Sequence, residues 1–164
     1  MRLTLWTSFW VFLVDQATKY FVVHWLDLIN IRSIDVVPPF LNFRMAWNRG
    51  VNFGLFAEFD MRWVLIGLAF VISALVLYWV HRDGGSRWTF LSAGFLVGGA
   101  IGNVIDRLLY GAVADFLNMS CCGIENPFAF NVADIAIFIG AVGLVIFTGE
   151  GTGKGQGKRR KKAA

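Results

Sequence analysis

The sequence predicts a membrane all-α bundle of four transmembrane helices, and three observations predict it. Of 164 residues, 57% are hydrophobic and only 16% charged, whereas soluble domains are about 45–50% apolar. Four apolar stretches, about 3–26, 63–80, 88–105 and 130–147, each approach the ~17–25 residues that a spanning helix needs. With four spans, Arg2, Arg82, Arg87 and the tail residues Lys154, Lys158, Arg159, Arg160, Lys161 and Lys162 all fall on one side. The positive-inside rule makes that side, and both termini, cytoplasmic. Residues 1–150 then form a single integral-membrane domain, and 151–164 a disordered basic cytoplasmic tail. The formal charge of +4 is used for topology, so nucleic acid is not an expected partner.

The first span carries Asp15 and Lys19 at i and i+4, acid before base, the better orientation for a helical ion pair. Asp15 lies roughly 18 Å from the cytoplasmic start, in the outer half of the bilayer, where charged residues face the bundle interior and pair. The apolar run Leu3 to Val14 resembles a signal-peptide core, but Asp15-Gln16 and further apolar residues follow it, not a small-residue cleavage site. His24, near the outer end, reads as an interfacial side chain. Residues 27–43, with Asn30, Pro38, Pro39 and Asn42 among β-branched residues, read as short strands and turns outside the membrane. Asn48-Arg49-Gly50 and Gly54 follow, where glycine permits a close approach of another chain or a simple hairpin. Phe53 to Phe59, backed by Glu58 and Asp60, suits a short interfacial helix.

The second span is scaffold, its one central polar residue being Ser73. Residues 81–87 form a short turn that only antiparallel neighbours need. In the third span Gly98 and Gly102 make a small-xxx-small packing face. Asn103, Asp106 and Arg107 arrive at its outer end; the guanidinium there can pair with Asp106, meet a lipid phosphate or orient a peptide carbonyl. The outer segment from Asp106 to about Asn131 holds Asp115. Its two cysteines, Cys121 and Cys122, are adjacent and supply neither a disulfide framework nor a metal site. Asn131 and Asp134, three residues apart, head the fourth apolar stretch, whose part from Ile135 to Phe147 has no charge.

For chemistry, the two histidines are far apart and no His-Glu-x-x-His occurs, so metal hydrolysis is not expected; no nucleophile-and-base set supports serine catalysis. What remains is Asp115 and Asp134 near the outer interface, with Asn48, Asn103, Asn131 and Arg107 around them. Two close carboxylates share one proton. The charged member can then activate water while the protonated member polarises a carbonyl and later protonates the leaving nitrogen. Other classes compete with this reading. One is a small four-span transporter with proton- or ion-relaying acids, although its charges should be spread through the bilayer. Another is a structural tetraspan protein whose polar residues pin helices together. A presenilin-like protease lacks its Tyr-Asp and Gly-x-Gly-Asp pairs here.

Five blocks in order resemble the bacterial lipoprotein signal peptidases, or signal peptidase II: Asp15-Gln16 with Lys19; Asn48-x-Gly50 with Phe53; Gly98-Gly99-Ala100-x-Gly102-Asn103-x-x-Asp106-Arg107; Val113-x-Asp115-Phe116; and Phe130-Asn131-x-Ala133-Asp134. They cover nearly the whole chain except its basic tail. The resemblance implies an aspartic endopeptidase of the bacterial inner membrane with Asp115 and Asp134 as its catalytic pair. It also implies four helices, a small extracytoplasmic β-sheet cradle from the first outer segment, and an interfacial helix over the site. The implied substrate is a prolipoprotein cut just before a diacylglyceryl-modified cysteine, in contact with membrane lipid. By matching positions, Asn48, Gly50, Arg107 and Asn131 bind substrate or support the dyad, while Asp15, Lys19, Asn103 and Asp106 stabilise the site. No cofactor or metal is expected, and the protein is expected to be a monomer. Val51-Asn52 stand where the family usually carries small residues such as Ala, and the Cys121-Cys122-Gly123 loop is unlike the family.

Overall fold

A computed structural model describes residues 1–50, 60–121 and 126–148. Its elements are α1 (Arg2–Lys19), continued by a π-helical turn (Tyr20–Trp25); α2 (Leu28–Ile31); β1 (Ser33–Val37); β2 (Leu41–Asn48); α3 (Met61–Asp83); α4 (Arg87–Tyr110); β3 (Val113–Asn118); and α5 (Val132–Thr148). The protein is therefore mostly helical with one small sheet. The expected interfacial helix at 53–59, the pair Val51-Asn52, Cys122 and the basic tail lie outside the described residues.

Two helices, α3 and α4, are long and apolar enough to cross a membrane; α5, at 17 residues, is shorter. Side chains are arranged for an apolar surround. Trp6, Phe9 and Trp10 of α1, Trp63, Phe70 and Leu75 of α3 and Phe138 and Val145 of α5 are exposed, while Thr4, Ser8, Asp15, Lys19, Ser92, Asn103 and Asp106 are buried. That inverts the usual soluble distribution, in which ionisable groups stay outside.

The central helix is α4, which packs against α1, α3 and α5. Its glycines allow this. A Cβ on Gly98 would stand 2.6 Å from the Ser8 carbonyl oxygen of α1, and one on Gly99 would stand 2.5 Å from the Ala133 carbonyl oxygen of α5. The expected small-residue face is thus real and has a second side, since Gly99 serves α5 while Gly94, Gly98 and Gly102 serve α1. Ser86 caps the start of α4 through the Thr89 N–H at 3.2 Å. Gly111, at φ +75°, ends it in the left-handed conformation that glycine adopts without strain.

Three boundaries differ from the sequence reading. First, α4 runs on to Tyr110, so Asp106 and Arg107 belong to the helix and not to an outer segment. Hydropathy marks where apolar residues stop, but Asp106 is 1% exposed and paired, so the helix continues through it. Second, residues 27–43 include α2 besides strands. Third, the sheet is antiparallel in the order β1-β2-β3, and its third strand comes from the second outer segment, not the first. Pairing runs Asn42↔Asn118 and Phe43↔Leu117, then Ala46↔Asp115, Trp47↔Ala114 and Asn48↔Val113. The irregularity between Phe43 and Ala46 brings Asn48 to the β3 end beside Asp115. At the bulge the Met45 N–H donates to the Arg32 carbonyl at 2.9 Å.

Candidate active site

The helix α5 opens on a reciprocal cap. Asn131 Oδ1 accepts the Asp134 N–H at 3.0 Å, and Asp134 Oδ2 accepts the Asn131 N–H at 3.1 Å. This is a capping-box exchange built from Asn and Asp, and it satisfies two amides that a helix start leaves without partners. It also fixes a carboxylate at the positive end of a helix, where negative charge is favoured. Asp134 stays half-buried, whereas Asn131 is fully buried.

Asp115 arrives on β3. Strand alternation sends Ala114 and Phe116 into an apolar cluster with Val22, Val23, Leu28 and Met45, and Asp115 to the other face. Its Oδ1 accepts Asn131 Nδ2 at 2.6 Å and its Oδ2 accepts Asn48 Nδ2 at 3.0 Å. Asn48 Oδ1 in turn accepts the Gly50 N–H at 3.0 Å, a local Asx turn at the end of β2. Gly50 has φ +106°, so its backbone needs glycine. One residue, Asn131, therefore holds both aspartates, Asp115 through its side chain and Asp134 through its main chain. Burial, reinforced by the charge of Asp134, pushes the Asp115 carboxyl up to about 7, against the opposing pull of the Asn48 and Asn131 hydrogen bonds.

Behind the two aspartates lies a buried ionic clamp. Lys19 Nζ is 2.8 Å from Asp15 Oδ2 and 2.8 Å from Asp106 Oδ2, and donates to Asn103 Oδ1 at 3.2 Å. Each acid holds a main-chain amide: Asp15 Oδ1 accepts the Ala133 N–H at 2.9 Å, and Asp106 Oδ2 accepts the Ala114 N–H at 3.1 Å. Ala133 and Ala114 immediately precede Asp134 and Asp115. Lys19 thus ties together the backbone of α5 and of β3 at the two positions that aim the carboxylates. The expected Asp15–Lys19 pair exists, and it reaches further than one helix. Gln16 has no assigned role in the sequence reading, yet its Nε2 donates to Asp15 Oδ2 and Asp106 Oδ1, both at 3.1 Å. The signal was its place directly after Asp15.

Asn103 completes the set, its Nδ2 donating to Asp134 Oδ1 at 2.9 Å and its Oδ1 accepting Asn131 Nδ2 at 3.3 Å. Of the three expectations for Arg107, pairing with Asp106 is overturned, because Asp106 is engaged by Lys19, Gln16 and Ala114. Arg107 donates instead to the Asn103 carbonyl at 3.1 Å and stays half-buried. Together Asn103 and Arg107 form the polar end of an otherwise apolar groove of about 420 Å³ between α3, α4 and α5, walled by Leu65, Leu68, Ile72 and Ile137. His24 is exposed, and its Nε2 lies 3.3 Å from the Tyr110 hydroxyl. Among the described residues no group of three or more His, Cys, Asp or Glu is placed to hold a metal ion. The chemistry on offer is that of two carboxyl groups of unequal exposure, facing a half-buried cation at the head of an apolar groove.

A family model for signal peptidase (SPase) II matches residues 7–149. The chain belongs to the signal peptidase II family. It is 42% identical over 137 residues to a lipoprotein signal peptidase of Methylobacterium sp. (strain 4-46), covering 82% of this chain and 81% of that protein. It is 39% identical over 145 residues to one of Alteromonas mediterranea, covering 87% and 78%. A solved bacterial membrane enzyme, determined by the in meso method, superposes with a TM-score of 0.75 at 26% identity over 94% of this chain and 92% of that one. A second such structure gives 0.76 at 27% identity over 89% and 92%. Membership in a signal peptidase family makes the chain a peptidase, hence a hydrolase, and disfavours the transporter reading.

Proposed function

We propose that this signal peptidase II is a membrane-embedded aspartic endopeptidase that releases signal peptides from prolipoproteins, cutting on the N-terminal side of a diacylglyceryl-modified cysteine. The observation that carries the reading is Asn131, one buried residue that holds Asp115 and Asp134 together, in a chain of a peptidase family. The helices α1 with its π turn, α3, α4 and α5 are the four spans, both termini lie in the cytoplasm, and the sheet sits at the outer face as a cradle. The enzyme works as a monomer in contact with lipid.

In the resting dyad one proton is shared. The more buried Asp115, with its carboxyl raised to about 7, is the member that carries it below neutrality. Asp134, half-buried, takes a proton from water as the water oxygen bonds to the scissile carbonyl carbon. Asp115 donates its proton to the carbonyl oxygen. In the collapse of the tetrahedral diol, Asp134 returns its proton to the leaving nitrogen and Asp115 recovers its own as the C–N bond breaks. The products are a signal peptide with a new carboxyl end and a protein with a free amino group on the modified cysteine. No bond to the enzyme forms.

The other polar residues orient and support. Asn48, Gly50 and Arg107 hold the substrate backbone, with Arg107 at the polar end of the groove where the extended segment meets the dyad. Asn131, Asn103, Asp15, Lys19 and Asp106 keep the two carboxylates in register. The apolar groove between α3, α4 and α5 receives the signal peptide sideways from the bilayer.

Lipidated and unlipidated forms of one prolipoprotein, added to sealed right-side-out vesicles holding the enzyme, test this reading. The expected result is cleavage of the lipidated form alone, before its modified cysteine by product mass, while the vesicles remain sealed. Cleavage of both forms alike, cleavage elsewhere, or cleavage only after the vesicles are opened contradicts it.

A further inference from the structure

We infer that Ala100 is a specificity-determining residue: its small side chain leaves room in the apolar groove, next to Asn103, for an aliphatic side chain of the signal peptide close to the scissile bond. The inference rests on the proposed function, in which that groove receives the substrate. Ala100 belongs to the motif Gly98-Gly99-Ala100-x-Gly102-Asn103, whose glycines are explained by helix packing. Gly98 and Gly102 lie against α1, where an added Cβ would stand 2.6 Å from the Ser8 carbonyl oxygen and 2.5 Å from Asp15 Oδ2. Gly99 lies against α5, where a Cβ would stand 2.5 Å from the Ala133 carbonyl oxygen. These three are buried, whereas Ala100 is half-buried and lines the groove. Packing against α1 and α5 therefore accounts for the glycines and leaves the size of Ala100 to the groove.

Helix geometry gives Ala100 its place. Because α4 packs against both α3 and α5, it forms the floor between them. Leu96, Ala100, Asn103 and Arg107, at i, i+4, i+7 and i+11, make one stripe of α4 along that floor, and Ala100 is its small member. Asn103 is the point where the stripe meets the dyad, since its Nδ2 donates to Asp134 Oδ1 at 2.9 Å. Ala100 lies one turn below it, about 4.5 Å along the axis at ~1.5 Å per residue. An extended peptide covers that distance in about one or two residues, at ~3.3 Å each. With the scissile carbonyl at Asp134 and the signal peptide in the groove, the last side chains before the cut pass over Ala100. The walls at this depth are aliphatic, with Leu68 and Ile72 from α3 and Ile137 from α5, so an aliphatic side chain is the one they accept. A larger residue at position 100 would occupy the space that this side chain needs.

Steady-state cleavage in detergent tests this with a set of diacylglyceryl-modified prolipoproteins. One carries Ala at each of the three positions before the modified cysteine, and the others carry Leu at a single one of those positions. Wild type is expected to cleave the Ala substrate and at least one Leu substrate. Ala100→Leu is expected to shift kcat/KM at least about tenfold toward the Ala substrate and away from that Leu substrate, the scale on which a hydrophobic pocket senses a methylene. The shift is expected in KM, because the lost contact holds substrate and transition state alike. An equal loss on every substrate, an unchanged ratio, a change confined to kcat, or cleavage of the Ala substrate alone by wild type overturns the inference and leaves the proposed function standing. Failure of wild type to cleave any of the set overturns the proposed function, and this inference with it. A thermal melt shows whether Ala100→Leu is folded, and Ala100→Val, judged by the same ratio, replaces it if it is not.

Discussion

Asp115 is a carboxyl that folding makes harder to ionise. It sits 3% exposed on β3, and burial together with the nearby charge of Asp134 raises it from 3.8 to about 7. Between those two values the folded protein holds a proton that the unfolded chain has lost, so this residue's contribution to stability falls as pH rises from about 4 to about 7. The full shift corresponds to about 4 kcal/mol as an upper bound. Asp115→Asn removes the titration while leaving an amide in place. Thermal melts in detergent at about pH 5 and about pH 8 should therefore show the variant gaining stability relative to wild type at the higher pH. An equal difference at both values would mean that Asp115 ionises freely in the fold. The residue pair was legible as Asn131-x-x-Asp134 because three-residue spacing at a helix start is a local signal. That Asn131 also reaches Asp115 was not legible, since 16 residues separate them and the contact depends on where β3 lies.

At the scale of elements, the clamp and the glycine faces decide how β3, α5 and α1 meet α4. Lys19→Met keeps the stem and removes the charge, leaving Asp15 and Asp106 buried without their cation. The expected loss is about 3 kcal/mol or more, the scale for breaking a buried pair, together with loss of hydrolysis because Ala114 and Ala133 lose their anchor. Chemical denaturation alongside a cleavage assay measures both, and a variant as stable and active as wild type would remove the clamp from the account. Gly98→Ala places a methyl 2.6 Å from the Ser8 carbonyl, whereas Gly67→Ala on α3 meets nothing within 4 Å. Melting temperatures should drop for the first and hold or rise slightly for the second, since alanine is the better helix former; equal effects would contradict the packing role. The helices α3 and α4 were readable from hydropathy because each is a long apolar run. The third strand was not, because Val113 to Asn118 is short and owes its conformation to pairing with β2, more than 60 residues away in sequence. Likewise the end of α4 was placed at the first charged residue, where burial and pairing carry the helix past it.

Among the described residues, large apolar side chains of the helices face outward, whereas Asp15, Lys19, Asp106 and Asp115 are buried together. Charge segregation made that polarity visible in the sequence, and the family motifs located the polar end. The way in which five distant motifs join into one hydrogen-bonded set, with Lys19 at its centre and Gln16 as a further bridge, required the fold. In the proposed function the groove between α3, α4 and α5 receives an extended segment from the bilayer, and Asn103 at its polar end bonds Asp134. The proposed reaction requires Asp115 and Asp134 to act together. The most direct measurement is cleavage of a diacylglyceryl-modified prolipoprotein in detergent by wild type, Asp115→Asn and Asp134→Asn, each first shown to be folded by its thermal melt. The account predicts rapid cleavage by wild type and a loss of at least about a hundredfold in each variant, the scale of a missing general acid or base. Near-wild-type cleavage by either folded variant would contradict it.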